Sequence, residues 1–139
     1  MQIRELDLKE LYTAYSVLKQ LRLELSYKEF EDLIYDMRYM EYKMFGIMNG
    51  EELITYAGVC VQTNLYHKRH LYVFDLVSDE KYRSMGYGKM MLEYLDDYAK
   101  MCMCKNIVLS SNVEREKAHE FYENHGFERK SFIFLKPVS

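Results

Sequence analysis

The chain predicts an α/β layered protein, with a mixed, mostly antiparallel sheet of about six strands flanked by about four helices. Three observations carry this prediction. Apolar residues form helical stripes in four separate stretches. Asn49-Gly50 divides two β-rich runs, as a hairpin turn does. Residues 70–77, His-Leu-Tyr-Val-Phe-Asp-Leu-Val, are nearly continuously apolar, as a central strand covered on both faces would be.

Each element has its own warrant. Residues 2–7 read as a short strand, and Asp7 stands where an N-cap belongs. Leu8, Leu11, Tyr12, Tyr15, Leu18 and Leu21 then recur at three and four residues, one face of a first helix. Ser26 caps a second helix whose buried stripe is Phe30, Leu33, Ile34 and Met37. Residues 43–48 and 52–62 are the arms of the hairpin, and 70–77 follow as the central strand. Met91, Tyr94, Leu95, Tyr98 and Met101 line a third helix, with Glu93, Asp96, Asp97 and Lys100 on its wet side. Asn106 to Ser110 is a short strand, and 115–125 a fourth helix stopped by Gly126. Phe127 to Lys136 reads as a closing strand with Phe132 and Phe134 on one face. Phe132, Ile133 and Phe134 leave two readings open, ordinary core or pairing across the edge of a homodimer. No linker, repeat or composition break intervenes, so residues 1–139 are expected to form a single domain.

Composition excludes several function classes. The net charge of −3 speaks against a general nucleic-acid binder. No apolar run approaches the ~18 residues of a membrane helix, and Met1 to Asp7 lacks the apolar core of a signal peptide. Cys60, Cys102 and Cys104 are an odd set without disulfide spacing, which predicts reduced thiols and a cytoplasmic location. Cys102-Met103-Cys104 has no second ligand pair at zinc spacing, so no metal is expected. His67 and His70, flanking Lys68-Arg69, read as a solvated turn. Fourteen tyrosines accompany no tryptophan, and a phenol can fill a core or act as an acid.

The segment that carries chemistry runs Leu76-Val77-Ser78-Asp79-Glu80-Lys81-Tyr82, then Arg83-Ser84-Met85-Gly86-Tyr87-Gly88-Lys89. A buried strand ends, a polar loop follows, and two glycines open a helix. Glycine lets backbone N–H groups approach a ligand unobstructed. With the helix dipole they form an anion seat suited to phosphate or pyrophosphate, and Arg83 and Lys89 add positive charge. By itself Gly-x-Gly is equally a tight strand-to-helix turn. It is neither a P-loop nor the dinucleotide fingerprint, because Gly-Lys-Ser/Thr and the third glycine are missing.

Arg83-x-x-Gly86-x-Gly88 resembles the Arg/Gln-x-x-Gly-x-Gly/Ala signature of the GNAT superfamily of N-acetyltransferases. Its flanks, Asp75-Leu76-Val77 and Met90-Met91-Leu92, are similar too. Ala118-His119-Glu120-Phe121-Tyr122-Glu123-Asn124-His125-Gly126-Phe127 resembles the second motif of that family. Leu109 to Arg115 with the following Ala118-His119 and Phe121-Tyr122 also resembles the aminoalkylphosphonate N-acetyltransferase subgroup.

The resemblance implies acetyl-CoA as acyl donor and direct attack by a primary amine, most simply a small molecule. It implies that Leu76, Val77 and Ser78 pair with the pantetheine arm. The pyrophosphate would lie on Arg83, Ser84, Met85, Gly86, Tyr87, Gly88 and Lys89, and Tyr122 would be the general acid. A phenol can protonate a leaving thiolate whose conjugate acid has pKa ~8.5, a role closed to Phe121. A lysine-like amine costs ~4.6 kcal/mol to neutralise at pH 7, and Asp75, the only carboxylate in its strand, is the candidate base, with a structural carboxylate as the equal alternative. Arg115 stands where many relatives have Asn, so no cofactor contact is carried onto it. Two other functions remain open, a protein or peptide N-acetyltransferase and a non-catalytic acyl-CoA-binding module.

Overall fold

The computed structural model describes residues 1–138. Five strands, β1 (Gln2–Leu6), β2 (Lys43–Asn49), β3 (Glu52–Asn64), β4 (Lys68–Ser78) and β5 (Asn106–Leu109), form one sheet in the order β1-β2-β3-β4-β5. The first three pairings, β1–β2, β2–β3 and β3–β4, are antiparallel. Four helices accompany it, α1 (Leu11–Leu18), α2 (Tyr27–Met37), α3 (Tyr87–Met101) and α4 (Glu116–Asn124). No helix among the described residues is long and apolar enough to cross a membrane. The chain divides into two compact units, Met1–Val108 and Leu109–Ser139.

In the first unit, strand alternation sorts side chains between two helical layers. Met44 and Met48 of β2 join Tyr56 and Val77 in a core closed by Leu11, Ala14, Val17 and Leu18 of α1 and Phe30 and Ile34 of α2. Phe45 points the other way and meets the ring edges of Tyr94 and Tyr98 on α3, at 5.3 and 5.0 Å between centroids. Both sheet faces are therefore covered, which explains why β3 is buried over eight consecutive residues.

The caps fall where the sequence places them. Asp7 Oδ1 accepts from the Lys9 N–H at 2.8 Å, and Ser26 Oγ from the Glu29 N–H at 3.2 Å. The hairpin forms with Gly50 at φ +63°, though Asn49 closes β2 and the turn proper is Gly50-Glu51.

Five expectations are corrected. Leu33, expected on the buried stripe of α2, is 46 % exposed, and only Phe30 and Ile34 of that stripe are buried. Helix α1 stops at Leu18, short of Leu21. The Gln20 and Leu21 N–H groups reach back three residues, to Val17 and Leu18, tightening the chain out of the α form. Tyr12 is 73 % exposed, because its ring lies 4.6 Å from Tyr27 on the outer side of the helix pair. His70 is not in a solvated turn. The strand starts at Lys68, and His70 is fully buried with Nδ1 2.8 Å from the Lys68 carbonyl. Finally, Phe127 to Lys136 joins no ladder among the described residues, and Phe132 and Phe134 are 80 % and 94 % exposed. Alternating aromatics define two faces, but a strand also needs a partner for its N–H and C=O groups.

Candidate active site

Strand β4 carries the first part of the site. Its pairing with β3 is regular from Lys68 to Val73 and again from Asp75 to Ser78. Between them Val59 faces Val73 and Gly58 faces Asp75, so Phe74 is an extra residue and the ladder bulges there. The bulge re-aims Asp75 and frees the Phe74 carbonyl, which accepts from Arg22 Nη2 at 2.9 Å. Lys105, just ahead of β5, donates to the Arg69 carbonyl at 2.6 Å. A four-residue strand starting there reaches neither Leu76, Val77 nor Ser78 in either direction. Those three keep β3 on one side, with Thr55, Tyr56 and Ala57 opposite them.

The loop after β4 is held by its own residues. Asp79 donates its N–H to the Ile54 carbonyl at 2.8 Å and caps a 3-10 turn over Glu80–Tyr82 through the Lys81 N–H at 3.0 Å. Gln20 Oε1 accepts from the Glu80 N–H at 2.9 Å and from Arg83 Nη2 at 3.4 Å. Arg83 Nε donates to the Ser78 carbonyl at 3.2 Å. The expected phosphate-facing arginine thus ties the loop to the strand end and to the segment after α1. The Gln20 contact was not legible in the sequence, because Gln20 and Arg83 lie 63 residues apart.

Ser84 (φ +64°) and Gly86 (φ +89°) turn the chain into α3 through left-handed conformations. Gly86 is the N-cap and offers no side-chain bond to the first helical N–H groups. A Cβ at Gly86 would meet nothing within 4 Å, so open space lies over this end of the helix. The first intrahelical bond here is Met90 N–H to the Gly86 carbonyl, at 3.1 Å. The N–H groups of Tyr87, Gly88 and Lys89 precede it and are orphans by helix geometry. With no acid in the first turn, this end is fitted to an anion such as a pyrophosphate.

Asp75 sits among side chains that the sequence did not single out together. Its Oδ1 accepts from Arg22 Nε at 2.9 Å, and Arg22 Nη2 lies 2.8 Å away. Its Oδ2 accepts from the Tyr42 hydroxyl at 2.8 Å, and that hydroxyl lies 2.7 Å from the Tyr56 hydroxyl. Burial pushes the pKa of Tyr42 well up, and the Tyr56 and Asp75 charges add to the effect. Burial likewise pushes Tyr56 up, then Asp75.

In the second unit, α4 carries Tyr122 against Phe121 and Phe127, at 5.5 and 5.7 Å between centroids. Burial raises the phenol pKa, and the Arg115 charge lowers it in part. Gly126, at φ +92°, ends the helix as expected. His119 and His125 are turned inward to backbone carbonyls, Asn112 and Phe121, at 2.8 and 2.7 Å. Among the described residues, no group of three His, Cys, Asp or Glu could hold a metal.

Residues 5–127 match the acetyltransferase (GNAT) family. The chain is 30 % identical over 141 residues to an uncharacterized N-acetyltransferase of Bacillus subtilis, YhdJ, covering 99 % of both. It is 24 % identical over 143 residues to the aminoalkylphosphonate N-acetyltransferase of Salmonella typhimurium, covering 99 % of this chain and 91 % of that one. Among solved structures, an aminoglycoside N-acetyltransferase in complex with CoA superposes with a TM-score of 0.86 at 13 % identity, covering 99 % and 93 %. A strand with a bulge, a polar loop and an uncapped glycine-led helix therefore stand in a fold known from acetyltransferases. The chain belongs to the GNAT family and is an N-acetyltransferase.

Proposed function

We propose that the protein transfers the acetyl group of acetyl-CoA to the primary amine of a small molecule, in the cytoplasm, using one catalytic domain over residues 1–139. The observation that carries the donor is the open, uncapped start of α3 behind Gly86. The N–H groups of Tyr87 to Lys89 would hold the pyrophosphate, with Ser84 and Met85 in the turn beneath it and Arg83 bracing the loop. Leu76, Val77 and Ser78 would pair with the pantetheine arm. Acetyl-CoA, when bound, supplies the activated acyl carbon. Asp75 stands on the acceptor side and takes the ammonium proton. Its two oxygens use two of about four acceptor positions on present partners, which leaves capacity for a substrate N–H. Tyr122 gives its proton to the departing thiolate, and its raised pKa keeps that proton in place through neutral pH. The small-molecule acceptor is supported by two relatives named for acetylating aminoalkylphosphonates and aminoglycosides. A homodimer through the exposed run Phe132 to Leu135 belongs to the same reading.

The test is an amine panel. Purified protein is incubated with acetyl-CoA and small amines, or with peptides bearing a free N-terminus or lysine, and free thiol is followed. Thiol release with a small amine supports the reading. Release with peptides alone reassigns the acceptor, and CoA binding without release on any amine makes the protein an acyl-CoA-binding module.

A further inference from the structure

Tyr42 reaches the site from outside both sequence motifs. The chain reverses after the 3-10 turn Arg38–Met40 at Glu41, in the left-handed region at φ +59°, and this reversal delivers Tyr42 just ahead of β2. The residue as a whole is half-buried, but its hydroxyl end is deep. Its seat is made by Gly58 of β3. A Cβ there would stand 1.6 Å from the Tyr42 hydroxyl oxygen and 2.3 Å from the ring carbon that bears it. Gly58 is also the residue opposite Asp75 at the bulge. One missing side chain therefore opens the notch through which a phenol meets the carboxylate.

The proton inventory of this cluster is determined. The single Tyr42 hydroxyl proton goes to Asp75 Oδ2, so the 2.7 Å contact with Tyr56 runs from the Tyr56 hydroxyl to the Tyr42 oxygen. Arg22 holds the other carboxylate oxygen. The two clamps differ in exposure. The Arg22 side chain is 49 % exposed, on the segment following α1, whereas Tyr56 is fully buried and anchors Tyr42 from below. Asp75, 12 % exposed, is thus held on its protein side by a fixed phenol pair and on its open side by a cation that can give way.

We propose that Tyr42, seated in the notch of Gly58, is a positioning residue that aims Asp75 Oδ2 for removal of the acceptor ammonium proton. This rests on the acetyltransferase reading above. Orientation of a base contributes only where a proton must be removed. The loss on removing the hydroxyl is therefore large for a fully protonated amine and small for an acceptor already neutral at the assay pH.

The experiment compares Tyr42→Phe with the wild type on two acceptors, an alkylamine and an amine of low pKa. A drop of tenfold or more in kcat/KM for the alkylamine, a drop under threefold for the low-pKa amine, and an unchanged KM for acetyl-CoA support the proposal. Equal losses on both acceptors, or none, overturn it. Gly58→Ala must displace the phenol and is expected to reproduce the same pattern with every polar group still present. A second arm needs no turnover: thermal midpoints of Tyr42→Phe, Asp75→Asn and the double variant. Non-additive shifts support the contact, and additive shifts overturn it. A wild type inactive on every small amine would overturn the proposed acceptor class alone, and this arm would still decide whether Tyr42 holds Asp75.

Discussion

Fourteen phenols share this chain, and their surroundings give them different work. Tyr94 and Tyr98 close a ring cluster on Phe45, and Tyr87 turns its ring edge-on to Tyr82 while its N–H faces the open helix end. Tyr12 lies outside, on Tyr27. Tyr56 and Tyr42 form a donor chain ending on a carboxylate. Tyr122 is the phenol proposed above as the general acid. Replacing Tyr122 with Phe is expected to lower kcat roughly 10²–10⁴-fold, with acetyl-CoA affinity unchanged, as steady-state kinetics and calorimetry would show. Because burial raises its pKa above the ordinary ~10 of a phenol, the acid form persists through neutral pH. On the alkaline side the wild-type rate falls as pH rises past that raised value, and Tyr122→Phe lacks this limb.

At the scale of elements, the caps and the hairpin were legible because they are local. Ser26 and Glu29 stand three residues apart, and each accepts the N–H of the other, at 3.1 and 3.2 Å. Ser26→Ala is expected to cost about 1 kcal/mol, a fall of roughly 3–4 °C in Tm by calorimetry. The Ser26 backbone N–H, and then its hydroxyl, hold the Glu29 carboxyl below its usual range. A depressed folded-state pKa contributes stability that is present above the unfolded value, about 4.3, and is lost as pH falls through the folded value. Ser26→Ala keeps the backbone N–H and removes only the hydroxyl. Only the hydroxyl's share of the Glu29 contribution therefore adds to the penalty at neutral pH and is lost below about pH 4. The loss of the Oγ cap on the Glu29 N–H is independent of pH. The bulge in β4 was not legible. Residues 70–77 read as an unbroken apolar run, and nothing in that run says that Phe74 falls out of register while Asp75 turns toward Arg22.

At the scale of the whole molecule, the exposed run Phe132-Ile133-Phe134-Leu135 asks for cover. The proposed homodimer predicts a mass of two chains by sedimentation equilibrium at micromolar concentration, and of one chain for Phe134→Asp. A wild-type mass of one chain at every concentration removes the dimer from the reading and leaves the acetyltransferase assignment untouched.

The sequence by itself determined the layered α/β class, the helix caps, the hairpin and the glycine-led start of α3. Each follows from residues within one or two turns of one another, where propensity and periodicity operate. Family membership was legible for the same reason, since both motifs are short and contiguous. Only the tertiary structure brought Arg22, Tyr42, Tyr56 and Gly58 around Asp75, across 53 residues from Arg22 and 33 from Tyr42. Such a cluster is set by strand register, by a bulge and by the volume a glycine leaves empty. Those are properties of packed neighbours, and no local pattern along the chain encodes them.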